Sequence, residues 1–110
     1  MSKRALALLA CLALCASCQF REMMALREQI AAQFHEARVQ VNVIGKGTVV
    51  VSFINSPLNA ASAEEKQKRA DEVAAFVMKN CKRPVPEVRV FFIAQSEAGT
   101  VTKLDRYTGR

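Results

Sequence analysis

The chain has 110 residues and a formal net charge of +6, with 51% hydrophobic and 24% charged residues. This length allows one small domain, and the balance is that of a globular chain rather than a disordered one. A single His and no Trp exclude sites built from several imidazoles and aromatic-rich binding surfaces.

Residues 1–18 have the pattern of a targeting segment. Lys3 and Arg4 form a positive start, and the 14 residues that follow carry no charge. That run is shorter than the roughly 20 residues needed to cross a bilayer. A positive start, a short apolar run and small residues at the exit are typical of a secretory signal peptide. We therefore divide the chain into a signal peptide, residues 1–18, and a single small domain, residues 19–110.

The end of this segment, Leu14-Cys15-Ala16-Ser17-Cys18, resembles the lipobox of bacterial lipoprotein precursors. In that family small residues precede a Cys that is acylated and becomes the new N-terminus. Ala16 and Ser17 match the small positions, whereas Cys15 stands where the family usually has Leu. The resemblance implies lipidation of Cys18, with Cys11 as a second candidate and ordinary signal-peptidase cleavage as the alternative.

The same resemblance predicts where the protein resides. A lipidated Cys18 places it in the cell envelope, attached to a membrane through N-terminal acyl chains. Gln19 is not the acidic residue that resembles an inner-membrane retention signal, so the outer membrane is favoured where the host has one. The alternative is a secreted or periplasmic soluble protein. Cleavage before Cys18 removes Lys3 and Arg4 and leaves a net charge of +4.

The first half of the remaining chain predicts a helix and a hairpin. Apolar residues recur at three- and four-residue steps from Gln19 to about Ala37, which is typical of an amphipathic helix. Alternating Val residues and a β-branched run predict two strands between Val39 and Ile54, with a turn at Gly45-Lys46-Gly47. The lack of a strand–loop–helix context argues against a phosphate-binding loop at these glycines.

The second half predicts a helix followed by two strands. Ser62 has the position of an N-cap, and the helix extends to about Asn80 or Cys81. Strands are predicted over Glu87–Gln95 and, more weakly, over Val101–Tyr107, with a frayed tail after them. The order α-β-β-α-β-β predicts a two-layer α+β sandwich, with an antiparallel sheet and two helices on one face. At the level of fold alone it resembles small envelope modules such as the BON-like class.

The residues that carry chemistry are few. His35 is the single imidazole and lies among polar residues of the first predicted helix, while Cys81 continues the apolar stripe of the second. A Cys–His nucleophilic pair is therefore disfavoured, and Cys81 is expected to be buried and unreactive. The spacing of Cys and His residues matches no metal motif, so no metal or cofactor is expected.

The remaining functional signal is a set of basic residues on and after the second helix. These residues could form a solvated face or a surface that binds lipid headgroups or an envelope protein; nucleic acid is disfavoured. Edge pairing along the Val101–Tyr107 strand is the competing route to a partner. The set consists of Lys66, Lys68, Arg69, Lys79, Lys82 and Arg83.

These observations predict a small non-catalytic envelope lipoprotein that binds or scaffolds another component. The alternative is a secreted enzyme-accessory domain, or an enzyme whose active residues have no recognisable pattern. The oligomeric state is left open.

Overall fold

The computed structural model describes residues 20–110. The predicted signal peptide, the candidate lipidation site Cys18 and the neighbouring Gln19 lie outside the described residues. The described chain starts with a helix, α1, over residues 20–34. Then follow β1 (Val39–Ile44), β2 (Thr48–Ile54), a short 3-10 helix (Pro57–Ala60), α2 (Ala63–Asn80), β3 (Val88–Gln95) and β4 (Val101–Gly109).

The first helix ends three residues earlier than its periodicity predicts. His35 takes a left-handed conformation with φ of 54°, and the Glu36 N–H donates to the Ala31 carbonyl at 3.0 Å. A left-handed residue followed by this bond is the Schellman C-cap, which normally uses glycine. The helix therefore stops at a geometric signal that does not depend on hydrophobic spacing.

The second helix begins and ends as predicted. The Ser62 hydroxyl accepts a hydrogen bond from the Glu65 N–H at 3.2 Å, which caps the first turn. Cys81 is the C-cap, and its N–H donates to the Val77 carbonyl at 2.9 Å.

The four strands form one sheet in the order β1-β2-β3-β4, and the α+β class is confirmed. The predicted antiparallel sheet is wrong at its centre, because β2 and β3 are parallel while both outer pairs are antiparallel. The reason is α2: 18 helical residues rise about 27 Å, enough to carry the chain back to the end of the sheet where β2 began. The sheet is therefore mixed.

The core lies between the helices and one face of the sheet. Odd-numbered residues of β1 and β2 and even-numbered residues of β3 point to this face. They form one buried cluster with both helices, except that Val41 and Val43 are only partly buried against it. Leu26 and Ile30 of α1 are buried in the same cluster. The opposite face carries Val50, Phe91 and Ile93, all half-buried.

Gly109 extends β4 two residues beyond its predicted end. It pairs with Val88 and is buried against α2, where a Cβ would overlap the Ala70 carbonyl and the Ala74 side chain. The Asp71 carboxylate accepts from the Arg110 N–H at 3.1 Å. The C-terminal tail, predicted to fray, is therefore held on the helix.

Candidate functional site

A groove lies between α1 and the outer edge of β1. We call it the α1–β1 groove; its volume is about 630 Å³. Phe20, the first residue of α1, lines one end of the groove and is 68% exposed, and Met24 next to it is also exposed. Val41 and Val43 point to the helix face of the sheet and are only half-buried there. The groove is lined by Phe20, Met23, Met24, Arg27, Gln40, Val41, Asn42 and Val43.

The two edges of the sheet, β1 and β4, differ in how they are protected. Native edge strands commonly carry charges, prolines or bulges that block further pairing. The β4 edge carries Lys103, Asp105 and Arg106 and has a register shift at Ala94/Gln95. The sequence of β1, VQVNVI, has none of these features and pairs with β2 in unbroken register. The prediction that β4 is an edge strand is confirmed, and β1 is the second edge, without the protective features that β4 carries. We call it the open β1 edge.

Lys66 is not on the surface that the sequence predicted for it. Its side chain is 4% exposed, and its ammonium donates to the Asp105 carboxylate at 2.7 Å. The ammonium also lies 5.9 Å from the centre of the Phe92 ring. Asp105 belongs to the core-facing side of β4, where it pairs with Phe92. Lys66 therefore joins α2 to β4, and its place in an exposed partner surface is wrong.

Arg69 belongs to a second connection, at the end of α1. The guanidinium lies 5.1 Å from the centre of the Phe34 ring and 3.7 Å from the buried Glu36 carboxylate. Glu36 also accepts from the Ser56 hydroxyl at 2.6 Å, and that hydroxyl accepts from the Leu58 N–H at 3.1 Å. These contacts fix the loop after α1 to α2 and to the 3-10 helix. Arg69 thus acts within the fold, while its neighbour Lys68 is exposed.

The other three basic residues lie at the opposite end of α2, next to the first turn of α1. The Lys82 N–H donates to the Glu22 carboxylate at 3.0 Å, and Lys79 and Lys82 are both exposed. Arg83 is half-buried, and its Nε and Nη2 have no hydrogen-bond partner within the described part of the chain. The predicted basic set is therefore two separate groups, and only the group at the end of α2 lies close to Phe20.

Cys81 and His35 lie too far apart to form a nucleophilic pair. Cys81 is close enough to Glu22 for that carboxylate to affect its titration, and His35 follows α1 at 13 residues from Glu22. At 1.5 Å per residue this separation is about 20 Å. Burial raises the pKa of the Cys81 thiol, and the Glu22 carboxylate raises it further. The thiol is half-buried rather than fully buried as predicted, and the raised pKa favours its protonated form.

Within residues 20–110, no group of three or more His, Cys, Asp or Glu side chains is placed to hold a metal ion. No helix in the same range is both long and apolar enough to cross a bilayer.

The sequence analysis did not identify the open β1 edge, because the sequence of a strand does not determine its position in the sheet. The available signal was that Val39–Ile44 lacks any charge or proline, which matters only once β1 is known to be an edge. The α1–β1 groove and the open β1 edge are the candidate site. Comparison of the chain with known protein families, with curated proteins and with solved structures finds no match.

Proposed function

We propose that the protein is a small, non-catalytic lipoprotein of the cell envelope, anchored through Cys18, whose domain binds or scaffolds another component. The observation that carries the proposal is the lipobox-like sequence at the end of residues 1–18. The described helix α1 begins at Phe20 and is held in the core by Leu26 and Ile30. An acylated Cys18 would therefore hold the folded domain close to the membrane surface.

The charge around this end of the domain supports the same orientation. Arg21, Lys79 and Lys82 are exposed near the point from which the chain leads back to Cys18. Basic side chains next to an acyl anchor are favoured by the negative potential of anionic headgroups.

The test compares two cysteine variants of the full chain in a bacterial host. With unsubstituted protein we expect fractionation with membranes and an intact mass equal to residues 18–110 plus acyl groups. Each buried CH₂ contributes about 0.8 kcal/mol, so two or more chains hold the protein firmly. Cys18→Ser should release the protein or leave it as uncleaved precursor.

Cys11→Ser is the matched control, because it changes the second candidate cysteine of the same segment. It should be processed and fractionated like the unsubstituted protein. Unchanged mass and fractionation for Cys18→Ser would contradict the proposal. Loss of anchoring in Cys11→Ser instead would move the lipidated position to Cys11.

A further inference from the structure

We propose that two copies of this chain associate through β1, in antiparallel pairing about a two-fold axis, to form a continuous eight-stranded sheet. The starting observation is the direction of the backbone groups of β1. The Ile54 N–H donates to the Arg38 carbonyl at 3.1 Å, which makes Arg38 and Ile54 a hydrogen-bonded pair. Such pairs alternate along an antiparallel ladder. In this register Gln40, Asn42 and Ile44 bond to β2.

The alternation leaves the N–H and C=O groups of Val39, Val41 and Val43 directed away from β2. The far side of β2 gives an independent check. The Val49 N–H donates to Glu87 at 3.0 Å and the Asn55 N–H to Ile93 at 2.8 Å, so odd-numbered residues of β2 bond toward β3. Even-numbered residues of β2 therefore bond toward β1, as the ladder requires.

The outward groups of β1 are complementary to themselves. With Val41 opposite Val41 of a second copy, Val39 lies opposite Val43, and each of the three pairs exchanges two bonds. About six backbone hydrogen bonds result, and the same three residues supply every donor and acceptor. Because β1 has no charged residue, pairing two copies of it places no like charges opposite each other.

The side chains match in the same register. Val39, Val41 and Val43 meet their counterparts on the helix face, and the amides of Gln40 and Asn42 lie opposite each other on the other face. An axis perpendicular to the sheet keeps both α1 helices on one side. The second α1 then lies over the α1–β1 groove, where Met23 and Met24 adapt readily to a new neighbour.

The groove contact is needed for a stable dimer. Interfaces carry about one hydrogen bond per 100–200 Å², so about six bonds correspond to roughly 600–1,200 Å². This area lies at the weak end of specific interfaces. Contact between the α1 helices adds apolar area from Phe20 and Met24, both exposed in the single chain. A second copy is favoured over an unrelated chain because β1 can pair with itself. In this register its backbone groups bond to each other and its side chains meet side chains of the same kind.

The first test is the mass of the purified full chain by analytical ultracentrifugation. The unsubstituted protein should have twice the mass of one chain. Val41→Pro should have the mass of one chain, because proline removes an outward N–H and leaves the bonds to β2 in place. Val41→Thr keeps the N–H and the β-branched shape and should remain a dimer. An unchanged far-UV circular dichroism spectrum shows that Val41→Pro has folded.

The second test reports register. Gln40→Cys combined with Asn42→Cys places thiols on directly opposed, non-hydrogen-bonded positions whose Cα separation of about 4.5 Å permits a disulfide. The double variant should form a covalent dimer under oxidising conditions, and Gln40→Cys alone should not. A single-chain mass for the unsubstituted protein, a larger oligomer, or a dimer that survives Val41→Pro overturns the proposal. Cys18→Ser should also dimerise, so this result is independent of lipid anchoring.

Discussion

His35 shows how one residue can set the end of an element against its own preference. Its φ of 54° lies in the left-handed region, which costs an L-residue roughly 1–2 kcal/mol and costs glycine nothing. The surrounding Schellman bond and the buried Glu36 next to it hold the residue there. This conformation is retained because the chain must reverse direction between α1 and β1.

We expect His35→Gly to raise the free energy of unfolding by about 0.5–1 kcal/mol, since glycine adopts this conformation without a steric penalty. Urea unfolding followed by circular dichroism measures the change. Gln33→Gly, two residues earlier on an exposed position inside α1, is the control and should lower stability by about 1 kcal/mol. Destabilisation by both variants would show that the His35 side chain makes a contact worth more than its strain.

Asp105 makes the connection between α2 and β4 sensitive to acid. The hydrogen bond from Lys66, together with the positive charges of Lys66 and Lys103, holds the pKa of this carboxyl below its usual value of 3.8. A carboxyl with a lowered pKa in the folded state adds stability above its unfolded pKa, and this stability is lost as pH falls through the folded pKa. Asp105→Asn also leaves the buried Lys66 ammonium without its anionic partner.

We therefore expect Asp105→Asn to lower the urea midpoint at neutral pH. The difference in urea midpoint between Asp105→Asn and the unsubstituted protein should decrease as pH falls below about 4. Lys66→Met removes the buried charge and preserves most of the volume, so it should be less harmful than Asp105→Asn. A gap that stays constant from pH 7 to pH 2 would mean that the ion pair does not cause it.

Local signals predicted the elements better than their arrangement. The Ser62 cap, the β1–β2 hairpin and the alternation of Val88, Val90 and Phe92 can be recognised within a few residues of sequence. The parallel pairing of β2 and β3 depends instead on the length of α2 relative to the sheet. The burial of Lys66 depends on Asp105, which lies 39 residues away. No local pattern carries either fact.

The contact of β4 with α2 depends on a residue without a side chain. A Cβ at Gly109 would overlap the Ala70 carbonyl, which belongs to the helix backbone and cannot rotate away. The Gln67 amide donates to the Thr108 carbonyl at 2.9 Å, which holds β4 against α2 next to the Gly109 contact. Close approach of strand and helix therefore selects glycine here on steric grounds.

We expect Gly109→Ala to lower the free energy of unfolding by about 1–3 kcal/mol, the usual cost of inserting a methyl group into a packed contact. Thr108→Ala is the control: the Thr108 side chain is exposed, and its carbonyl still accepts from Gln67. Thermal or urea unfolding of both variants checks the difference. Equal stability would mean that β4 moves away from α2 at little cost.

Residues of α1, β1, β2, α2 and β3 form one buried cluster, and β4 and the 3-10 helix pack partly buried side chains against it. Leu26 and Ile30 pack with residues of β2 and α2, and Tyr107 of β4 packs on the other end, 5.8 Å between its ring centre and that of Phe92. A domain of this size with a continuous core is expected to unfold in a single step. The same continuity means that α1, the element nearest to the proposed anchor, is part of the fold rather than a separate stalk.

Tyr107 allows this cooperativity to be measured, because it is the single Tyr in a chain without Trp. Tyrosine fluorescence therefore reports on β4, while far-UV circular dichroism at 222 nm reports mainly on the helices.

We expect the two unfolding curves to coincide at a fixed protein concentration. Leu26→Ala should shift both midpoints equally and cost about 2–5 kcal/mol, since it empties a buried position on the opposite side of the core from Tyr107. Gln33→Ala, on an exposed position of α1, should shift neither curve downward. Loss of the helical signal before the tyrosine signal would show that α1 unfolds on its own, in which case an anchor at Cys18 would hold a flexible tether rather than a fixed domain.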